Sequence, residues 1–323
     1  MSMKEPYVLI IGSSNIDMNI YSQRLPQKGE TVTGGTFKQF LGGKGANQAV
    51  ASIRSGSKTI FIAKIGKDSF GDKMFSQLKK EGINVNHILR DEKEASGIAF
   101  IMIDKYGENM ISVAPGANIK LSPKEIEKNE EIIKNATVIV VQMEIPMETI
   151  RKVFHIASKG SVKKILNPAP LKPIPQDLLP QIDIIVPNEG ELFRLHSLLN
   201  LNQIKETQDK KIIQASKDLA KLGIKTIITT LGRRGSLLYQ AETEQIIKIP
   251  AYKVEAVDTV GAGDCFNGVL ASKLAQGENI VNAVKYATAA ASIAVTRKGA
   301  QQSMPSASEI QDRFNEISHY QLK

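Results

Sequence analysis

The chain has 323 residues, 42% of them hydrophobic and 23% charged, enough for one large α/β domain with a small appendage. A net charge of +9 raises nucleic acid as a partner, but the lysines are mixed with glutamates, tryptophan is absent and aromatics are 5%. With no basic stripe between stacking residues and no apolar run of membrane length, neither nucleic acid nor membrane is an expected partner. Cys265, the single cysteine, excludes an internal disulfide or a cysteine zinc cluster and fits a reducing cytoplasm, where the protein is expected to reside.

In chain order, Tyr7–Ser13 is a predicted strand leading to Asn15-Ile16-Asp17, whose two polar side chains point the same way if the segment is extended. Residues 19–40 are strand-like, broken at Pro26 and Gly34-Gly35. The glycine-rich Leu41–Ala49 then runs into a helix that Gly56 ends. Strand Thr59–Ile65 precedes a helix capped by Asp68 and closed at Gly82. Ser96–Ile103 and Glu108–Ala114 flank a turn and read as a hairpin, and Ser122-Pro123-Lys124-Glu125 is a capping-box helix start.

Strands and helices then alternate: strand Thr137–Gln142, helix Pro146–Lys159, strand Lys164–Leu166, strand Ile182–Val186, a helix from Asn188, helix Asp209–Leu222, strand Thr226–Thr230 and a further hairpin. A strand-like run, Tyr252–Val257, leads into Asp258-Thr259-Val260-Gly261-Ala262-Gly263-Asp264, and a helix is expected from Phe266 to Leu274. A last long helix is expected from Ile280 to about Val295. This alternation predicts a three-layer α/β/α fold with a mostly parallel sheet covered on both faces. The strand-rich residues 17–41 and 97–117 form one small β appendage, and 1–16, 42–96 and 118–323 form the main domain.

In such sheets ligands bind beyond the carboxyl ends of the strands. The polar residues expected there are Asn15, Asp17, Gln142, Glu144, Asn188, Glu191, Thr230 and Asp264. The small residues Gly261, Ala262 and Gly263 leave bare N–H groups at a helix start, which favours an anion. A carboxylate at Asp264 within that anion site makes sense as a base for a substrate hydroxyl while phosphate arrives nearby. Asn188 and Glu191, three apart at a helix start, can both face a metal or its waters, and Mg²⁺ carried with ATP suits so sparse an oxygen set. Singly, each has an ordinary reading: Asn188 as a cap, Glu144 as a solvated carboxylate, Thr230–Gly235 as a β-turn with exposed arginines. No Walker-type loop or dinucleotide fingerprint occurs, and His87, His155, His196 and His319 lack metal-ligand spacing.

Six motifs together carry a resemblance: Gly42–Gly66 (GGKGANQAVASIRSGSKTIFIAKIG), Asp258–Gly268 (DTVGAGDCFNG), NPAP at Asn167–Pro170, PNEGE at Pro187–Glu191, TLGRRG at Thr230–Gly235 and AVTRKGAQ at Ala294–Gln301. Over essentially its whole length the chain resembles the PfkB (ribokinase) family of carbohydrate kinases. The resemblance implies ATP-dependent phosphorylation of a sugar, best matched by D-ribose at its 5-hydroxyl. It assigns Asp264 as base and the amides of Gly261, Ala262 and Gly263 as the anion hole. Asn15, Asp17, Gly43, Lys44, Gly45, Ala46, Asn47 and Glu144 match sugar-binding positions. Asn188, Thr230, Leu231, Gly232, Arg233, Arg234, Gly235 and Thr288, beside Gly263 and Asp264, match nucleotide contacts. Glu191 falls in the motif that organises Mg²⁺ through water. Asp258, Val260, Ala294, Arg297, Gly299 and Ser303 match a K⁺ site, several through main-chain carbonyls.

The strand-rich insertions match a lid that closes over the sugar and pairs with its counterpart in a homodimer. Thr288 stands where many relatives have histidine, Arg233-Arg234 is more basic than usual, and Cys265 is expected to be a buried small hydrophobe. Deoxyribose-preferring relatives tend to be apolar at the position of Asn15, so Asn15 favours ribose. The rivals are a deoxyribokinase or another sugar or nucleoside kinase of the family, and, from another class, a non-catalytic sugar-binding sensor.

Overall fold

The computed structural model describes residues 5–201, 203–205 and 208–320, with side chains described to residue 316. Its centre is β1 (Val8–Ile11), four apolar residues with no exposure on either face. A strand covered on both sides can be apolar throughout, as a parallel sheet between helical layers requires.

On one side β1 pairs with β4 (Thr59–Gly66), which pairs with β5 (Ile88–Asp91). On the other side follow β8 (Val138–Gln142), β9 (Lys163–Asn167), β10 (Ile184–Ile185) and β11 (Thr226–Thr230), all parallel. The predicted hairpin, β12 (Ser236–Gln240) and β13 (Gln245–Ile249), adds two antiparallel strands and completes a nine-stranded sheet.

Helices cover both faces. Val8, Ile10, Phe61 and Val140 pack with α1 (Lys44–Arg54), α2 (Ser69–Lys80), α8 (Ala262–Ala275) and α9 (Ile280–Ala294). Leu9, Ile11, Ile62 and Val141 pack with α5 (Met147–Ala157), α6 (Glu189–Leu198) and α7 (Gln208–Ala220). The capping box at Ser122 forms as read and starts the short α3 (Pro123–Glu127), which α4 (Glu130–Lys134) follows.

Close contact between α1 and α8 sets the position of the site. A Cβ on Gly268 would lie 2.4 Å from the Gln48 carbonyl and 2.6 Å from the Ala51 Cβ, so only glycine lets these helices meet. That approach brings Asn47 and Gln48 of α1 against Asp264, one turn ahead of Gly268 on α8.

A second sheet has the order β3-β2-β6-β7, from β2 (Asn15–Tyr21), β3 (Thr36–Gly42), β6 (Gly97–Ile103) and β7 (Asn109–Ala114). It grows directly from the main sheet. Asn15 pairs with Gly42 on one side and Gly97 on the other, at the point where β1 gives way to β2 and β3 to α1.

Two expectations fail, and one helix goes unread. Tyr252–Val257 is not a strand. Pro250 removes a donor there, and the chain leaves the edge strand β13 to run along a cleft. The helix expected from Phe266 begins at Ala262, because Gly261, at φ 76°, supplies a left-handed N-cap that side-chain residues rarely adopt. A further helix, α10 (Ala307–Tyr320), follows α9 and was not anticipated; it contributes Ile310 to the core and stacks Phe314 on Tyr286 at 3.8 Å.

Candidate active site

Asp264 occupies the first turn of α8 and is 6% exposed. Each carboxylate oxygen accepts an amide hydrogen bond, Oδ2 from Asn47 Nδ2 at 2.8 Å and Oδ1 from Gln48 Nε2 at 3.0 Å. The Asn47 carbonyl oxygen is buried and unpartnered, an acceptor left for a hydroxyl donor. Among the described residues the amides of Gly261 and Gly263 meet no protein acceptor, while that of Ala262 makes a 3.3 Å turn bond to the Thr259 carbonyl. A Cβ on Gly263 would meet nothing within 4 Å, whereas one on Gly261 would lie 3.1–3.5 Å from Ala300 and Met304. The free amides of Gly261 and Gly263 and the Asp264 carboxylate therefore lie within one turn of chain at the start of α8.

The charges of Asp17, Lys44, Glu144 and Asp264 act on one another. Burial pushes the Asp17 carboxyl up to about 7, helped by the charges of Glu144 and Asp264 and opposed by Lys44. Lys44 is raised, chiefly by Asp264, with Glu144, Glu191 and Asp17 adding to it against the cost of burial. Glu144 accepts from the Lys44 amide at 3.0 Å and from the Ser13 hydroxyl in a short bond. Asn15 is 4% exposed, and its carbonyl oxygen accepts from Asn118 Nδ2 at 2.7 Å. Asn118, which the sequence reading did not single out, thus turns the Asn15 amide so that its NH₂ remains to donate.

Gly43 is the N-cap of α1 at φ 86°. Gly45 and Ala46 bond through their amides to Ser13, at 3.4 and 2.9 Å, and so anchor the helix start with no amide left for a ligand.

At Gly263, next to Asp264, opens a cleft of about 830 Å³, lined also by Asn188, Thr230, Gly232, Arg233, Gly235 and Thr288. Thr288, Ala291, Ser292 and Val295 follow the i, i+3, i+4, i+7 spacing of one helix face and form one wall. The Thr288 and Ser292 hydroxyls donate back to Val284 and Ala289, which leaves that wall apolar. Residues 251–256, Thr259, Ala262 and Phe266 complete the lining; the sequence reading missed 251–256 because no motif marks the loop after β13. Leu231 is buried beneath the turn, and its amide donates to the Gly235 carbonyl. Arg234 does not line the cleft: its guanidinium pairs with Glu189 and Asp209.

Asn188 and Glu191 form a reciprocal capping box at the start of α6. Asn188 Oδ1 and Glu191 Oε2 are committed there, so the pair presents fewer free oxygens than its spacing suggested. No group of three or more acidic, histidine or cysteine side chains able to hold a metal exists among the described residues.

Asp258 ties two loops together, accepting from Val260 and Gly299 amides at 2.9 Å each. The Ala294 carbonyl accepts from the Arg297 amide, the Arg297 guanidinium pairs with Glu309, and Ser303 Oγ donates to the Ala300 carbonyl. Cys265 is fully buried and its thiol is pushed far up by burial, which makes it the inert hydrophobe expected.

The profile of the pfkB family carbohydrate kinases matches residues 5–307. The chain belongs to the PfkB family of carbohydrate kinases. It is 38% identical over 305 residues to a ribokinase of Staphylococcus aureus, covering 94% of this chain and 98% of the relative. It is also 36% identical over 310 residues to a deoxyribokinase of Salmonella typhi, covering 96% and 97%. Among solved structures it is similar to Arabidopsis thaliana ribokinase complexed with ribose and ATP, with a TM-score of 0.87, 33% identity, and 96% and 99% of the two chains covered. The two family signature stretches lie at the starts of α1 and α8, which meet through Asn47, Gln48 and Asp264.

Proposed function

We infer that the chain transfers the γ-phosphoryl group of ATP to the 5-hydroxyl of D-ribose. The observation that carries this is the placement of Asp264, which is bonded to Asn47, acts on the charges of Asp17 and Lys44, and follows Gly263, where a nucleotide-sized cleft opens. Asp264 takes the hydroxyl proton, and the amides of Gly261, Ala262 and Gly263 receive charge that spreads over the transferring oxygens. Asp17, Asn47 and Glu144 accept from sugar hydroxyls, while the Asn15 NH₂ and Lys44 donate. Thr230, Gly232, Arg233 and Gly235 meet the nucleotide phosphates, and the apolar face at Thr288 covers the base.

A magnesium ion carried with ATP fits this site only through water. Glu191 has one oxygen outside its capping box and acts on Lys44, so its charge reaches the pocket. When bound, the ion neutralises phosphate charge. Asp258, Val260, Ala294, Arg297, Gly299 and Ser303, several through main-chain carbonyls, would hold K⁺, sharing oxygens of Asp258 and Ala294 that already accept amide hydrogen bonds. Its loop already ends at the Gly261 N-cap, so an ion there would stiffen the amide cradle.

The second sheet serves as a lid that excludes water from the transfer. Asp17 lies on one of its faces; Ile20, Phe37, Phe100 and Met110 lie exposed on the other, apolar enough to bury against a second copy. No helix among the described residues is long and apolar enough to cross a membrane, and a cytoplasmic location belongs to the same proposal.

Phosphate transfer from ATP to ribose, deoxyribose, fructose and adenosine, with and without K⁺, tests this reading. Ribose is expected to be preferred, with K⁺ raising the rate. Asn15→Leu is expected to cut the ribose preference over deoxyribose by about tenfold or more, since the hydroxyl loses its donor. Equal or better use of deoxyribose by the wild type would favour the deoxyribokinase reading, and no turnover with any acceptor would favour a sugar-binding sensor.

A further inference from the structure

Behind the base lies a chain of buried amides to which the roles above give no part. Gln48 has no exposure, and its Nε2 donates both to Asp264 Oδ1 at 3.0 Å and to Asn167 Oδ1 at 3.1 Å. Its Oε1 accepts from Gln142 Nε2 at 2.6 Å. Asn167 in turn donates through Nδ2 to the main-chain carbonyl of Val186 at 3.1 Å.

That last bond sets the orientation of the chain. A carbonyl can only accept, so Asn167 must turn its NH₂ to Val186 and its oxygen to Gln48. Gln48 must then present its NH₂ to Asn167 and Asp264. Reversed, its oxygen would face two other oxygens and its NH₂ would face that of Gln142. Val186 follows β10 and stands two residues before Asn188, so the series links the base to the strand end that lines the nucleotide cleft.

We propose that Gln48 is a positioning residue for phosphoryl transfer: its amide, keyed through Asn167 to the Val186 carbonyl, holds Asp264 Oδ1 so that Oδ2 is the oxygen that meets the acceptor hydroxyl. Lys44, the cation on which the charge of Asp264 acts most among its neighbours, is the partner a freed carboxylate would meet. A carboxylate that swung into an ion pair with Lys44 would be a weaker and misplaced base. The proposal rests on the assignment of Asp264 as base, and the experiment separates the two.

Gln48→Met keeps the side-chain length and deletes the donor. Steady-state kinetics across pH would use whichever sugar the wild type phosphorylates best, with Asp264→Asn alongside. For Gln48→Met, kcat is expected to fall roughly 10- to 100-fold while KM for ATP stays within about twofold. The acid limb of its kcat profile is expected to move to higher pH, because the ionised carboxylate loses a hydrogen bond that favours it.

Asn167→Leu keeps Gln48 but frees its amide, so both readouts should move the same way by less; this variant decides the matter if Gln48→Met does not fold. A folded Gln48→Met with kcat within about twofold and an unmoved acid limb overturns the proposal, even if its Tm falls, since lower stability alone is what a packing role gives. Near-normal kcat in Asp264→Asn overturns the base assignment and this proposal with it. An inert Asp264→Asn beside an unchanged Gln48→Met removes the positioning role alone.

Discussion

Asp264→Asn is expected to lower kcat by about a thousandfold while the protein still folds and binds nucleotide. Asparagine has the same shape and can still accept from Asn47 or Gln48 through its carbonyl oxygen, so the buried network loses little packing. What disappears is the proton acceptor beside the amide cradle. A carboxylate at the start of α8 also opposes the phosphate that must approach the same helix end, so its removal should tighten ATP binding. Falling kcat with unchanged or lower Kd for ATP, measured by rapid-quench kinetics and calorimetry, is the expected pair of results. A kcat within about tenfold of wild type would remove Asp264 from the chemistry.

Asp17→Asn is expected to weaken ribose binding on the order of 100-fold, since hydrogen bonds to a charged acceptor are the stronger kind. It should also make the protein more stable above neutral pH. Asp17 sits at about 7 in the folded state against 3.8 as its ordinary value. Between those values the folded chain holds more protons than the unfolded one, so stability falls as pH rises through the window. At pH 8 the wild type carries the whole cost, on the order of 2 kcal/mol after solvent screening. The variant's advantage in urea unfolding should therefore be full at pH 8, smaller near pH 5.5 and absent near pH 4. Equal stability of the two proteins at pH 8 would contradict the electrostatic account of this pocket.

Much of this site was legible in the sequence because its parts are local. The glycine-rich turn before α1, the cap at Asp68 and the capping box at Ser122 are short-range devices and form as read, while α8 begins four residues earlier than expected. The nine-stranded order was only partly legible, since alternation implies parallel pairing without giving the neighbours. The pair Asn188 and Glu191 shows why spacing alone misleads: the spacing that lets two side chains face one ion also lets them cap one helix. Gln48 and Asn167 stand in quoted motifs, but they and Asn118 act through partners 100 or more residues away in sequence or through a backbone carbonyl, so no local pattern reveals what they touch. The stretch after β13 was misread because its alternating residues imitate a strand, yet they line a cleft.

The most direct test is a crystal structure with ribose and a non-hydrolysable ATP analogue bound together. The account predicts the ribose 5-hydroxyl within about 2.6–3.2 Å of an Asp264 carboxylate oxygen. It also predicts the γ-phosphate before the amides of Gly261, Ala262 and Gly263. A 5-hydroxyl turned away from Asp264, or a phosphate chain lying elsewhere than at the start of α8, would contradict it.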